Sequence, residues 1–260
     1  MLMATSQPKP EVDPAIDPDP VERISSAGNL SVVLVCEHAG QAVPHRLGDL
    51  GLLPDMIDLH IGWDIGAAAV TRAMARDLGC TAILQRYSRL VIDCNRPTSA
   101  PDSIPRVSDG VTVPANDQIV ADERAARISD IFAPFDAAIT EALTAPVRLV
   151  LAIHSFTPRL ATVPIDRPWH IGFLFRGDTV TPTRLANAVA TRRPDLIIGM
   201  NQPYQIDDAS DWFVPHHGEG RGLPHALVEI RNDLIRDAAG QEEMATLLSA
   251  AIRDLLEISC

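Results

Sequence analysis

Aromatic residues make up only 4 % of the 260 residues, so Ala, Val, Leu and Ile must fill whatever interior the chain builds. Cysteine is equally sparse. Cys36, Cys80, Cys94 and Cys260 form no CxxC pair and no regular spacing, which leaves no disulfide framework to read and makes a reduced, cytoplasmic protein the expectation. No apolar run approaches the 18 residues of a membrane span, and the first 22 residues lack the apolar stretch of a secretory signal. Positive charge is in deficit: the net charge is −12, which argues against a nucleic-acid partner. A small anion stays possible, because a local arginine can outweigh the global sign. There is no phosphate-binding loop, no GxGxxG after a strand and no GxSxG nucleophile elbow.

What is present is 46 % hydrophobic content arranged in short runs, enough for a substantial core. Residues 1–28 are rich in Pro and Asp without periodicity and read as a disordered or draped arm. Residues 29–260 read as a single catalytic domain with no internal repeat. Apolar, β-rich runs predict strands over 31–36, 81–85, 89–94, 149–154, 171–175, 196–200 and 226–231. Helical patterns cover 64–78, closed by Gly79, then 116–143 with a kink at Pro134, 182–193 and 242–257. Strands alternating with helices imply an α/β fold: a three-layer α/β/α sandwich around a mostly parallel or mixed sheet.

Polar clusters sit at the C-terminal ends of four apolar runs: Glu37-His38, Asp93 to Arg96, His154-Ser155 and Glu229 to Arg231. That edge of an open α/β sheet is where ligands bind. His38 and His154, brought to one edge, suit a divalent metal that keeps an open position, and such a site needs a third ligand. The candidates are Asp64, Glu37 and His217. Asp64 is preferred, although it also stands where a helix N-cap is expected. Glu37 adjoins His38, and neighbouring side chains of an extended strand point to opposite faces.

Glu229, inside the apolar ALVEIR, is either an ion-pair partner of an arginine or a general base acting on water. Arg96, beside Asn95, has the planar fork that matches a substrate carboxylate. Arg89 can polarise a scissile carbonyl, hold a second carboxylate, or pair with Asp93. The Gly- and His-rich segment 216–225 reads as a flexible loop, with His217 as a secondary acid or hydrogen-bond donor and His216 and His225 solvated.

Taken in order, EHAG and VP, GWDIGA, RYSRLVIDCNRP, IHSFTP and HGEGRGLPHALVEIRNDL resemble the N-formylglutamate amidohydrolase family over 30–235. More distantly they resemble zinc carboxypeptidases, in which a DxNR segment, an IHS segment and an ExR strand follow one another. The resemblance implies a phosphorylase/hydrolase-like α/β/α core and one zinc ion held by His38, His154 and an acidic ligand. It places Glu229 in the position of the catalytic glutamate, and Asn95 with Arg96 in that of the carboxylate clamp. The implied reaction is hydrolysis of N-formyl-L-glutamate to formate and L-glutamate, a step of histidine degradation, with a small N-acyl amino acid as the partner. The chain departs from the pattern in having CEHAG where relatives tend to have PHSG, and Asp136 where many have His. Those departures leave room for another N-acyl amino acid. The alternatives are a carboxypeptidase-like or deacylase activity on short peptides, or a non-catalytic binding protein of the same fold.

Overall fold

The structure is a computed structural model that describes residues 11–25 and 31–257. Among the described residues there are nine strands: β1 Val21–Ile24, β2 Val32–Cys36, β3 Thr81–Gln85, β4 Val107–Ser108, β5 Val111–Thr112, β6 Leu149–Phe156, β7 Ile171–Leu174, β8 Ile198–Met200 and β9 His225–Arg231. Five α-helices accompany them: α1 Ala67–Leu78, α2 Ala121–Arg127, α3 Ala133–Ala142, α4 Val180–Arg192 and α5 Ala238–Leu255. Seven strands form one sheet in the order β1-β3-β2-β6-β9-β7-β8, while β4 and β5 make a separate two-stranded ribbon. β3, β2, β6 and β9 run parallel, and β1 and the β7–β8 pair run against them. The sheet is therefore mixed but mostly parallel, as the alternating pattern implies.

One core lies between the sheet and α1, α4 and α5, and a second lies on the opposite face beneath α3 and a set of irregular segments. Every residue of β2 and of β6 is buried. Strands covered on both faces carry continuous rather than alternating apolar runs, which is how VVLVC and LVLAI read. Helix α1 forms because Ala67, Val70, Met74 and Leu78 recur at helical spacing and are buried on one face. It stops at Gly79, whose φ of 61° lets its N–H turn back to the carbonyls of the last turn.

The crossovers position the site. From β2 the chain passes through α1 to β3 on one side. From β3 it returns through α3, skips β2, and enters β6 on the other side. The strand order reverses between β2 and β6, and a crevice opens at their carboxyl ends.

Four sequence expectations change. The run 89–94 is not a strand. Leu90, Val91 and Ile92 are buried, but the segment turns on itself through Val91 N–H to Ser88 O. Side chains take the place of a neighbouring strand: Asn116 Nδ2 donates to Leu90 O at 2.8 Å, and the fully buried Arg127 donates to Val91 O at 2.9 Å. The helix expected over 116–143 starts at Ala121, and its irregularity is a π-turn at Ile128–Phe132 just ahead of Pro134. Within the stretch read as an arm, Val21–Ile24 adds an edge strand to β3 and Glu11 is buried against Arg46; residues 1–10 and 26–28 of that reading lie outside the described residues. Segment 216–225 is not a loop: it is helical from Phe213 to Arg221, and His225 is the buried first residue of β9. Among the described residues no helix is long and apolar enough to cross a membrane. Cys36, Cys80 and Cys94 are buried free thiols.

Candidate metal centre and active-site cavity

Three strands deliver one row of side chains. β2 and β6 pair with Val35 opposite Ala152, and β6 and β9 pair with His154 opposite Glu229. Partners in register share a face of the sheet, so β9 presents Glu229 on one side of His154. Glu37 continues β2 on the other. The chain leaves β2 at Cys36 and turns, which frees Glu37 and His38 from strict alternation and lets both face β6.

The two histidines meet through their Nδ1 atoms, 3.1 Å apart. Asp64 Oδ2 stands 2.9 Å from Nδ1 of His154 and 3.4 Å from Nδ1 of His38. Ligand atoms at about 2.0–2.1 Å from a tetrahedral ion lie roughly 3.3 Å from one another, so these three atoms are spaced as three corners of such a site. His38, Asp64 and His154 are all buried and can hold a divalent metal.

Asp64 reaches this position because it does not cap α1. The N-cap is Gly66 at φ 84°, and no side chain caps the helix. Asp64 instead receives Ser155 N–H at 3.1 Å, and its own N–H donates to His38 O at 2.9 Å, which ties all three ligand segments together. A Cβ on Gly66 would stand 2.2 Å from Ile235 O, so glycine alone permits this turn.

The second nitrogen of each histidine faces a carboxylate. Nε2 of His38 lies 2.7 Å from Asp93 Oδ1, and Nε2 of His154 lies 3.0 Å from Glu37 Oε2. A carboxylate hydrogen-bonded to the outer nitrogen of a metal-binding imidazole, as Asp93 is to His38, fixes its tautomer and orientation. Arg89 completes the cluster, donating to Asp93 at 2.7 Å and to Asp64 at 3.4 Å.

The charges call for a cation. Four buried carboxylates, Glu37, Asp64, Asp93 and Glu229, surround one guanidinium and two imidazoles. Burial alone would raise the pKa of Asp64 and of Asp93, yet both are held below the usual carboxylate range, Asp64 by the two histidines and Asp93 by Arg89 and His38. Burial would lower the His154 pKa, and Glu37 with Asp64 overrides it, so the ring is driven well toward its charged form. A divalent cation held by His38, Asp64 and His154 would meet that demand with both imidazoles neutral.

Glu229 behaves differently. Burial raises its pKa to about 7, Asp64 adds to the rise, and His154 and Arg89 oppose it. Its Oε2 has no hydrogen-bond partner among the described residues. The carboxyl lines a cavity of about 610 Å³ together with His38, Asp64, His154, Arg89, Asn95 and Arg96. Part of the lining comes from elsewhere: Asp109, on the turn between β4 and β5, accepts hydrogen bonds from the Ala161 and Thr162 backbones and the Thr162 hydroxyl and pairs with His60 at 3.1 Å. Tyr204 and Asp211 close the far wall.

The structure thus brings His38, Asp64, His154, Glu229, Arg89, Asn95 and Arg96 to one cavity. Two readings change. Glu37 is not a third ligand, because it lies behind His154, on the Nε2 side. His217 reaches neither the ligand cluster nor the cavity lining. It is fully buried with Nε2 2.9 Å from Asp136, which also accepts from Trp212 Nε1, so it ties the 212–218 turn to α3. Asn95 lines the cavity and also braces its wall: Oδ1 accepts from Phe213 N–H at 2.9 Å and Trp212 N–H at 3.2 Å, and Nδ2 donates to Asp211 at 2.9 Å. Arg96 spends its Nε on Asp102, 3.1 Å away, and keeps its place in the lining.

Sequence reasoning missed Asp93 as the partner of His38, and it missed Asp211, Tyr204, His60 and Asp109. Asp93 was legible as part of DCNR. The others sit in aperiodic segments that carry no local signal.

The profile of the family described as N-formylglutamate amidohydrolase matches residues 30–236. A gene product of Agrobacterium tumefaciens with a solved crystal structure is 33 % identical, covering 95 % of this chain and 98 % of its own, with a TM-score of 0.86. The N-formylglutamate amidohydrolase of Ralstonia eutropha JMP134 is 20 % identical over 92 % of this chain and 98 % of its own, with a TM-score of 0.66. That second likeness speaks for the fold. No curated protein gives a significant match.

Proposed function

Because the chain belongs to the N-formylglutamate amidohydrolase family, we propose that it is a zinc-dependent hydrolase releasing formate from N-formyl-L-glutamate or a close N-acyl amino acid. The observation that carries this reading is the meeting of His38, Asp64 and His154 beside the unpartnered Glu229 carboxyl on one cavity floor. Two imidazoles and a carboxylate, with room left for water, are the donor set of catalytic zinc.

His38 and His154 would hold the ion through Nδ1 and Asp64 through Oδ2. Bound there, zinc supplies Lewis acidity toward an amide carbonyl and brings the pKa of water to about 7. Glu229 then does the proton work. Held near neutrality by burial, it takes a proton from the attacking water and returns it to the leaving amine nitrogen. Arg89 holds the ligand carboxylate Asp64 and faces the cavity, where its guanidinium steadies the negative charge that develops on the carbonyl oxygen. The free edge of Arg96 receives the substrate carboxylate. Asn95 helps indirectly, by fixing the 211–213 wall. Activity on N-formyl-L-glutamate would make this a step of histidine degradation. The free thiols suit a reducing compartment such as the cytoplasm.

A second reading rests on cavity size. A volume of about 610 Å³ falls in the range of about 300–1,000 Å³ that holds drug-sized ligands, which exceed N-formylglutamate. It favours a longer acyl group or a short peptide. One experiment separates the readings: the purified protein is analysed for metal, then offered N-formyl-L-glutamate, N-acetyl-L-glutamate, N-formyl-L-aspartate and a γ-linked glutamyl dipeptide, with release of acid or amine measured. Stoichiometric zinc with formate release carries the first. Zinc with cleavage of the larger amides alone carries the second. No zinc and no turnover removes both.

A further inference from the structure

Asp93 behind His38 is matched by a second carboxylate whose position the mechanism has not used. Glu37 is 1 % exposed. Among the described residues neither of its carboxylate oxygens has a hydrogen-bond donor, and Oε2 meets His154 Nε2 at 3.0 Å, within ion-pair distance though without the alignment of a linear hydrogen bond. Nε2 of His154 is likewise without any other partner. A buried ionised carboxylate costs several kcal/mol in desolvation unless a positive group compensates it. No arginine takes that role here: Arg89 is engaged with Asp64 and Asp93, and Arg96 with Asp102.

The placement follows from register. Val35 opposite Ala152 carries Glu37 to the level of His154, and the turn after Cys36 sends Glu37 behind the ring while His38 turns to its front. One dipeptide therefore supplies a ligand to the centre and a support to the other ligand. We propose that Glu37 is a positioning residue: its carboxylate holds the proton on Nε2 of His154, so that Nδ1 presents its lone pair to the metal, and its charge offsets the cation. This rests on the zinc-hydrolase reading above and adds a determinant of metal affinity to it.

The test is zinc affinity by competition with a chromophoric chelator for the wild type, Glu37→Gln and Glu37→Ala, with the imidazole N–H protons of the zinc-loaded protein followed by NMR. Loss of a carboxylate behind a ligand imidazole weakens metal binding by about 10–100-fold. Glu37→Ala is expected to fall in that range and to lose the slowly exchanging downfield His154 Nε2–H signal. Glu37→Gln, which keeps an acceptor oxygen but not the charge, should fall between it and the wild type and keep the signal. Wild-type affinity in Glu37→Ala, with the proton signal unchanged, overturns the proposal. If Glu37→Ala does not fold, wild-type affinity in Glu37→Gln overturns it instead. A wild type that binds no zinc marks failure of the parent reading, since the variants are then never compared.

Discussion

Glu229 and Asp211 are both buried acids with raised pKa values on the same cavity, and they serve different ends. On the proposed mechanism Glu229 acts through its proton. Replacing it with Gln keeps the shape, removes the acceptor and leaves the metal ligands intact, so zinc content should hold while kcat falls about 10²–10⁴-fold. Unchanged kcat in a zinc-replete variant would refute the assignment. A base works only when ionised, so on that mechanism wild-type kcat/KM should climb as the pH rises toward neutrality, and the Gln variant should lose that climb. Asp211 is pushed up from 3.8 to about 6 mainly by burial, with its bond from Asn95 opposing. A folded-state pKa above the unfolded one means that the folded chain binds the proton more tightly, so the stability is present below about pH 4 and is lost as the pH passes 6. Asp211→Asn can still accept from Asn95 and escapes that loss. It should match the wild type near pH 4 and gain up to about 3 kcal/mol above pH 6.5, read from urea midpoints at the two pH values. His38, His154 and Glu229 were legible because each closes a buried run and so had to lie at the sheet edge. His217 was misread because a His- and Gly-rich stretch looks like a loop, whereas Asp136, 81 positions earlier, holds it in a helical turn.

At the scale of elements, strands covered on both faces were readable as unbroken apolar runs, and α1 by its spacing and Gly79. The run 89–94 shows the limit of that logic. Apolarity specifies burial and says nothing about the hydrogen-bond partner, and here Asn116 and Arg127 serve the carbonyls that a strand would have served. The start of α1 was equally hidden: Asp64 has the chemistry of a cap, and only the positive φ of Gly66 diverts it to the histidines. Gly66→Ala would put a side chain in the left-handed region and against the Ile235 carbonyl. A cost of about 2–4 kcal/mol follows, with weaker zinc binding because Asp64 moves with the turn. Urea unfolding and chelator competition should both register it; a stable variant with wild-type affinity would deny Gly66 that role.

Over the whole molecule, a metal bound as proposed would be linked to the fold, because His38 follows β2, Asp64 precedes α1 and His154 lies on β6. Zinc at 100 times its dissociation constant stabilises the native state by about 2.7 kcal/mol, which for a domain of this size is about 5–10 °C in Tm. Dialysis against a chelator should lower Tm by that amount, and added zinc should restore it. A Tm indifferent to both would separate the three residues from any ion. The order of layers was readable from the alternation of strands and helices, but the reversed direction of β7 and β8 was not, since strand direction depends on connections that leave no local trace.

The ribbon turn at Asp109 and the segment it clips at Ala161 and Thr162 belong to neither the sheet nor the ligand row. Part of the cavity lining is thus held by a clip that is independent of the strands beneath the ligand row. Substitutions at Ser108, Leu160 or Thr162 would therefore reshape that lining without touching the packing that sets His38, Asp64 and His154.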